Sequence, residues 1–121
     1  MNSEPLRELT EKEIESYWDD GVFCARGIIS MDWIERMREA LDRILAKPGR
    51  FGANVNPKGT DGRFAFETWM FTYDSDFKNW IMNGPIPPLA AQLLNSNKVH
   101  HLFDFMFAKE PHSPHATLWH Q

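Results

Sequence analysis

Residues 99–111, VHHLFDFMFAKEP, decide the fold expected of this chain. Aromatic and aliphatic side chains fill positions 99–108 and favour a β-strand, and the Lys-Glu-Pro that follows is typical of a strand end. Alternation puts three phenylalanines on one face of that strand, Phe103, Phe105 and Phe107. The other face carries Leu102, Asp104, Met106 and Ala108. Because both faces are largely apolar, we expect cover on both sides, with helices outside and a pocket or second sheet inside.

Two helices are predicted before this strand. Thr10 and Glu13 form a capping box, and the helix that they begin is expected to end at Asp20-Gly21. Ser30 is a cap for a second helix, whose apolar residues recur at helical spacing until Pro48-Gly49. Residues 22–26 between these helices predict a short strand.

The middle of the chain alternates loops and helices. Residues 51–63 contain several Gly and Asn and predict an irregular loop, either a lid beside a site or a surface excursion. The aromatic clusters at 64–66 and 69–71 are expected to pack between helices. A third helix is predicted from Asp74 or Ser75 to Asn83-Gly84, and a fourth begins at Pro87-Pro88.

Composition restricts the classes of function. The 121 residues suffice for one domain at most, with a modest core. The net charge of −4 disfavours a nucleic-acid partner, and the chain has no apolar stretch of about 20 residues, the length that a membrane span needs. A single cysteine, Cys24, excludes an internal disulfide and fits the reducing cytoplasm. Its apolar neighbours favour a buried small hydrophobe over a reactive thiol. The N-terminus shows no signal peptide, so we expect a cytoplasmic protein.

All five histidines lie between residues 100 and 121. The adjacent His100 and His101 would point to opposite faces of a strand and could not hold one ion together. His112 and His115 fall in a Pro-rich loop, where solvent exposure is the simpler interpretation. His120 follows Leu118 and Trp119 at the end of an apolar segment, so it is either a metal ligand or an exposed residue.

Asp104 is a carboxylate within an apolar strand. It needs a partner, Lys109 or a backbone amide, unless it borders a polar cavity. We favour structural ion pairing. Glycine-rich phosphate loops, nucleophile elbows and paired-cysteine zinc motifs are not found in the sequence.

Two segments resemble the phytanoyl-CoA dioxygenase family. One is residues 13–30, EIESYWDDGVFCARGIIS, and the other is the run 99–111 that leads to TLWHQ at 117–121. In that family the closing motif continues as His-Gln-Asp or a close variant. The resemblance therefore implies that the carboxylate would follow Gln121. We expect residues 1–121 to be a single partial domain, the N-terminal part of such a dioxygenase domain.

The resemblance also implies a fold and a chemistry. The fold is α+β, with N-terminal helices and the first strands of a double-stranded β-helix, or jelly roll. The cofactors are Fe(II), held by two histidines and a carboxylate, and 2-oxoglutarate. His120 is the one ligand that carries over, and no residue of this chain is assigned a catalytic role. Phe103 and Phe105 would form a pocket wall at the cofactor site.

These features give two expectations about function. In the first, the chain belongs to an oxygenase that hydroxylates a small organic or acyl substrate, and it is inactive alone because it holds one ligand. In the second, it is a stand-alone α+β protein-interaction module without catalysis. An exposed sheet edge would allow self-association in either case. The substrate is not specified by this part of the sequence.

Overall fold

Helices and a small sheet form an α+β fold in the computed structural model, which describes residues 3–118. The expectation for His120 lies outside the described residues. The four α-helices are α1 (Glu11–Asp20), α2 (Met31–Ala46), α3 (Ser75–Asn83) and α4 (Ile86–Leu93). The strands are β1 (Ala53–Asn54), β2 (Phe64–Thr68) and β3 (Phe105–Lys109), and a 3₁₀ helix spans Met70–Thr72.

The predicted helix boundaries are largely confirmed. The Thr10 side chain accepts from the Glu13 amide while Glu13 reaches back to the Thr10 amide, so the capping box is present. Gly21 ends α1 with a φ of 73°, in the left-handed region that favours glycine. Asp74 caps α3 by accepting from two amides, and Pro87 lies in the first turn of α4. Ser30 precedes α2 without a side-chain capping bond.

The sheet is antiparallel in the order β1-β2-β3. Phe66 is the Cα partner of Ala53 in β1 and of Phe107 in β3. The side that packs against the helices carries Met106 next to Ala40 and Ile44 of α2. Met70, Phe77 and Met37 complete this core, so the helices cover a single face of the sheet.

The strand predicted for residues 99–108 is shorter in the structure, because its partner β2 ends at Thr68. Trp69 has a φ of 61°, and the chain then turns into the 3₁₀ helix. The Asp104 carbonyl accepts from the Trp69 amide at 3.3 Å, which closes the ladder at that residue. Residues 99–104 therefore lie outside the strand. The expected cover on both faces is incomplete: Met106 is buried on one face, whereas on the other face Phe64 is buried but Phe105 and Phe107 remain exposed.

Three further predictions are corrected. Residues 22–26 form no strand and end in a turn. The predicted loop 51–63 contains β1, which pairs with β2. Residues 64–66 do not pack between helices but form the start of β2, because alternation along a strand suits its phenylalanines better than a helical interface.

Peripheral hydrogen bonds attach the first residues to the rest of the fold. The Leu9 amide donates to Oε1 of Gln92 at 2.7 Å, and the Trp18 indole donates to the Leu93 carbonyl at 3.0 Å. The Leu6 amide donates to the Ile28 carbonyl. Among the described residues, no helix is long and apolar enough to cross a membrane.

Candidate functional site

The side of the sheet that faces away from the helices is lined by aromatic rings. Phe103, Phe105 and Phe107 are 47%, 46% and 53% exposed, and Phe66 lies beside them on β2. We call these four residues the open aromatic face. Large exposed apolar patches on soluble proteins mark binding sites, or surfaces that another part of a protein covers. This face is therefore a candidate functional surface.

The rings of the open aromatic face contact one another in a continuous row. Phe66 and Phe105 stack across the strands with centroids 5.7 Å apart and planes inclined by 19°. Phe105 and Phe107 are 4.5 Å apart, and Phe103 lies 6.3 Å from Phe105. Each aromatic pair stabilises the arrangement by about 0.5–1.5 kcal/mol beyond area burial. The row is thus ordered by its own contacts, without cover from the helices.

Trp69 extends this row and fixes one end of it. Its ring lies 6.1 Å from Phe103 and 5.9 Å from Phe71. A positive φ is uncommon for a bulky residue, and such strained positions cluster at functional sites. The Thr68 hydroxyl donates to the Asp104 carbonyl at 2.6 Å and supports the turn. This end of the surface is therefore shaped by the backbone as well as by packing.

Asp104 finds a backbone partner, one of the two alternatives that the sequence left open. Its Oδ2 accepts from the Phe71 amide at 3.0 Å, whereas Oδ1 is buried and has no hydrogen-bond partner in residues 3–118. Lys109 instead lies with its ammonium 5.4 Å from the centre of the Phe64 ring. The favoured interpretation of structural ion pairing is wrong, because the partner is an amide of the 3₁₀ helix and none of the ion pairs within residues 3–118 includes Asp104.

A buried carboxylate lies on the opposite side of the sheet. Glu67 of β2 is 1% exposed and is paired with Met106 on the helix-facing side. Its Oε2 accepts from the Gly49 amide at 2.6 Å, and Oε1 accepts from the Thr68 amide at 3.3 Å. A Cβ at Gly52 would lie 2.3 Å from Oε2 of Glu67, so a side chain there would require this carboxylate to move. The turn after α2 is therefore built around this carboxylate.

Tyr73 lies next to Glu67. Its ring edge reaches solvent, but its hydroxyl packs on Gly49, where a Cβ would overlap it. Burial, followed by the negative charge of the neighbouring Glu67, raises the pKa of Tyr73 to about 12. The hydroxyl consequently stays protonated across the physiological range and can act as a donor.

Ion pairs elsewhere serve the packing of helices. Arg36 and Arg43 of α2 both bind the Asp76 carboxylate of α3. Burial works against the charged form of Asp76, but the two guanidinium groups outweigh it and hold the pKa of Asp76 below its usual value. These side chains clamp α2 to α3 and lie away from the open aromatic face.

The histidines described by the structure do not gather into a metal site. His100, His101, His112 and His115 are all exposed, and His101 packs its ring edge against Phe71 with centroids 4.8 Å apart. Residues 3–118 hold no group of three metal-ligating side chains. His120 lies outside the described residues, so its ligand role stays a prediction. The described part of the chain does not by itself provide an iron site.

Two sequence interpretations of single residues receive different outcomes. Phe103 and Phe105 lie on one exposed surface, and their role as a pocket wall stays a prediction. Cys24 is exposed rather than buried, because residues 22–25 form no strand that could place it in the core. Glu67 was not singled out from the sequence. The alternation of β2 places it beside Ala65 on the covered side, and a carboxylate at such a position signals a specific contact.

Comparison with known proteins gives no relatives: no family model, curated protein or solved structure matches this chain.

Proposed function

We propose that this chain contributes one wall of the substrate cavity in a non-haem Fe(II)- and 2-oxoglutarate-dependent oxygenase of the phytanoyl-CoA dioxygenase type. The observation that carries the proposal is the one-sided sheet, with helices on one face and the open aromatic face on the other. A jelly roll with outer helices has this layering, since one sheet face packs on helices while the other looks into the barrel.

In this proposal the aromatic row excludes water and binds an apolar part of a small organic or acyl substrate. Its phenylalanines offer no hydrogen-bond donor or acceptor, so they would not hold the polar 2-oxoglutarate. Iron with 2-oxoglutarate would supply the oxidising chemistry of hydroxylation. His120 is the ligand proposed from this chain, on the resemblance of residues 117–121 to the family motif.

The coding sequence on the 3′ side of the Gln121 codon tests the assignment most directly. An Asp codon immediately after Gln121, followed later in frame by a His and an Arg, is the expected result. A different residue at the first of these positions, without a nearby carboxylate, would contradict the oxygenase proposal.

Activity gives a second test, on the 121-residue chain itself. Incubation with Fe(II), ascorbate and 2-oxoglutarate should form no succinate above a protein-free blank, because one histidine binds Fe(II) too weakly to compete with water. Turnover by this chain would mean that other residues bind the metal, and it would remove the single-ligand assignment of His120.

The second candidate function is that of a protein-interaction module, and the edge of the sheet favours it. In the ladder between β2 and β3, Ala65 forms backbone hydrogen bonds with Ala108, and Glu67 forms them with Met106. The backbone hydrogen bonds at the two ends of the ladder fix this alternation. The backbone groups of Phe105 therefore point to the outer side of β3, where an added strand could pair with them.

Light scattering coupled to size exclusion tests the interaction module. Self-association that increases with protein concentration, together with strong binding of an apolar dye, is expected if the open face and β3 edge are contact surfaces. A monomer at all concentrations with weak dye binding would count against the interaction module.

A further inference from the structure

A cavity lies between α3, α4 and the segment that precedes β3. Its volume is about 310 Å³, which leaves room for about ten water-sized groups at ~30 Å³ each. Ile81 and Met82 of α3 form one wall, Ile86 and Ala90 of α4 form a second, and residues 99–102 close the third side. Cavities of this volume, with mostly apolar walls and a few polar groups, are typical of sites for small molecules.

Several apolar side chains that line this cavity are poorly covered by the protein itself. Leu102 is 76% exposed, Met82 is 48% exposed and Ile86 is 36% exposed. Large apolar side chains that gather around a recess mark binding sites. An apolar ligand in the cavity would remove part of this surface from water, which is favourable.

Two adjacent histidines contribute to the lining. The expectation that His100 and His101 lie on opposite faces assumed a strand, but residues 99–104 lie outside β3, and both histidines line this one cavity. Both are exposed to solvent. An imidazole has at least one N–H donor whether or not the ring is charged. The two residues can therefore bind an oxygen acceptor that enters from solvent.

Backbone donors are available beside the histidines. The ladder between β2 and β3 ends at the Asp104 carbonyl, and residues 99–103 form no backbone–backbone hydrogen bond within residues 3–118. Backbone N–H groups are strong donors that are normally paired with protein or with water. The amides of this segment are not part of the sheet, so a ligand with oxygen acceptors can pair with them.

The charges around the cavity favour an anion. Residues 77–103 supply the whole lining and contain Lys78, Lys98 and the two histidines but no Asp or Glu, although the chain has 17 acidic residues. The acids that flank this stretch are engaged elsewhere. Asp76 binds two arginines of α2, and Asp104 accepts from the Phe71 amide. A carboxylate ligand would therefore meet cations and N–H donors without an opposing acid in the lining.

We propose that the cavity between α3 and α4 binds a small aliphatic carboxylate. Its hydrocarbon chain lies against Met82, Ile86 and Ala90, and its charged end lies at His100 and His101. None of the four residues of the open aromatic face lines this cavity, so the site is separate from the proposed oxygenase surface. It does not depend on the iron assignment, and neither iron nor 2-oxoglutarate is needed to test it.

Titration of the ¹⁵N-labelled 121-residue chain with sodium hexanoate, followed by NMR, tests the proposal. Saturable shifts of amides in residues 81–90 and 99–102 are expected, with a Kd on the order of 1 mM for a ligand of this size. Hexylammonium chloride and 1-hexanol carry the same hydrocarbon chain and should bind about tenfold more weakly. The absence of saturable shifts, shifts centred on the open aromatic face, or equal binding of hexylammonium would each overturn the proposal.

Variants on α4 locate the apolar end of the ligand. Ala90→Leu fills the cavity from a helical position and should weaken hexanoate binding about tenfold or more. Ala91→Leu is the same exchange at the next residue, which lines a different recess, and it should bind hexanoate like the original chain. An unchanged Kd in Ala90→Leu, in a variant whose amide spectrum shows an intact fold, would refute the assignment.

Variants of the histidines locate the charged end. The double variant His100→Ala and His101→Ala changes exposed positions, so the fold should persist while the Kd for hexanoate rises about fivefold or more. His115→Ala is the matched control at an exposed histidine beside the open aromatic face and should leave the Kd unchanged. If the control loses affinity and the double variant does not, hexanoate binds at the aromatic face and the proposal is refuted.

Discussion

The two faces of the sheet differ in how their side chains are used. On the covered face, Met106 packs with Met70 and Phe77, and Glu67 has donors supplied by a turn built around it. On the open aromatic face, Phe105 is nearly half exposed and contacts mainly other rings. The comparison indicates that stability resides on the covered face, whereas the open face keeps a large apolar surface available for a ligand or another chain.

The strongest test of this division compares two phenylalanines. Phe77 is 9% exposed in the core, so Phe77→Ala should lower the free energy of unfolding by about 4 kcal/mol, the usual cost of a large buried cavity. Phe105→Ala should lower it by only about 1 kcal/mol, because its loss is restricted to ring contacts and partial burial. Urea unfolding measures both values. Equal costs would show that the open face is a second core.

The buried carboxylate gives the next largest effect. Glu67→Ala removes the acceptor of the Gly49 amide and should cost about 2 kcal/mol, the usual penalty of a buried donor left without a partner. The pKa of Tyr73 should also fall from about 12 towards its ordinary value, since one of its causes is the Glu67 charge. Urea unfolding and tyrosinate absorbance report the two changes. Glu39→Ala on the surface of α2 is the control, and a cost equal to that of Glu67→Ala would contradict a special role for Glu67.

A smaller effect on the open face appears in dye binding. Phe105→Ala should clearly reduce the fluorescence of a bound apolar dye, because it interrupts the continuous row of rings. Phe51 has the same 46% exposure but lies outside the open aromatic face, so Phe51→Ala should leave the fluorescence nearly unchanged. If both variants behave alike, exposure alone and not the row determines the binding of apolar molecules.

The smallest effect is on the pH dependence of stability, and it involves Glu13 in α1, far from the sheet. The Arg7 hydrogen bond, followed by the Thr10 amide, lowers the pKa of Glu13 to about 2 from its ordinary 4.5. Because the folded pKa is the lower one, this contribution is complete above about pH 4.5 and is lost as the pH falls towards 2. Glu13→Gln should therefore reduce the loss of stability between pH 5 and 2, as followed by urea unfolding at each pH. Glu15→Gln on the same helix is the control, and identical profiles for the two variants would exclude the Arg7 contact as the cause.

The elements that local chemistry dictates could be predicted from the sequence. The capping box at Thr10, the left-handed Gly21 and the Asp74 cap all depend on residues within a few positions of each other, and they occur where expected. The alternation of Phe103, Phe105 and Phe107 likewise follows from the period of a strand, although the strand itself begins only at Phe105.

What the sequence could not provide is which segment pairs with which. The length of β3 is set by β2, which is distant along the chain and turns away at Trp69. The exposure of Cys24 and the partner of Asp104 depend on the same tertiary arrangement. Glu67 could have been recognised from its position in an apolar strand, but its donors come from a turn around Gly49 that no local pattern reveals.

The attachment of α1 has a consequence for motion. Within residues 3–118, no residue of α1 is buried, and the helix is attached to α4 at its periphery, by the hydrogen bond from the Trp18 indole and by the Leu9 amide bound to Gln92 just before the helix. Helices held by a few peripheral bonds open at a free energy well below that of global unfolding. The amides of α1 are therefore expected to exchange hydrogen through local detachment of the helix. The amides of α2 and β2 are expected to exchange only through global unfolding. The first helix is therefore expected to detach locally from α4 while both faces of the sheet keep their structure.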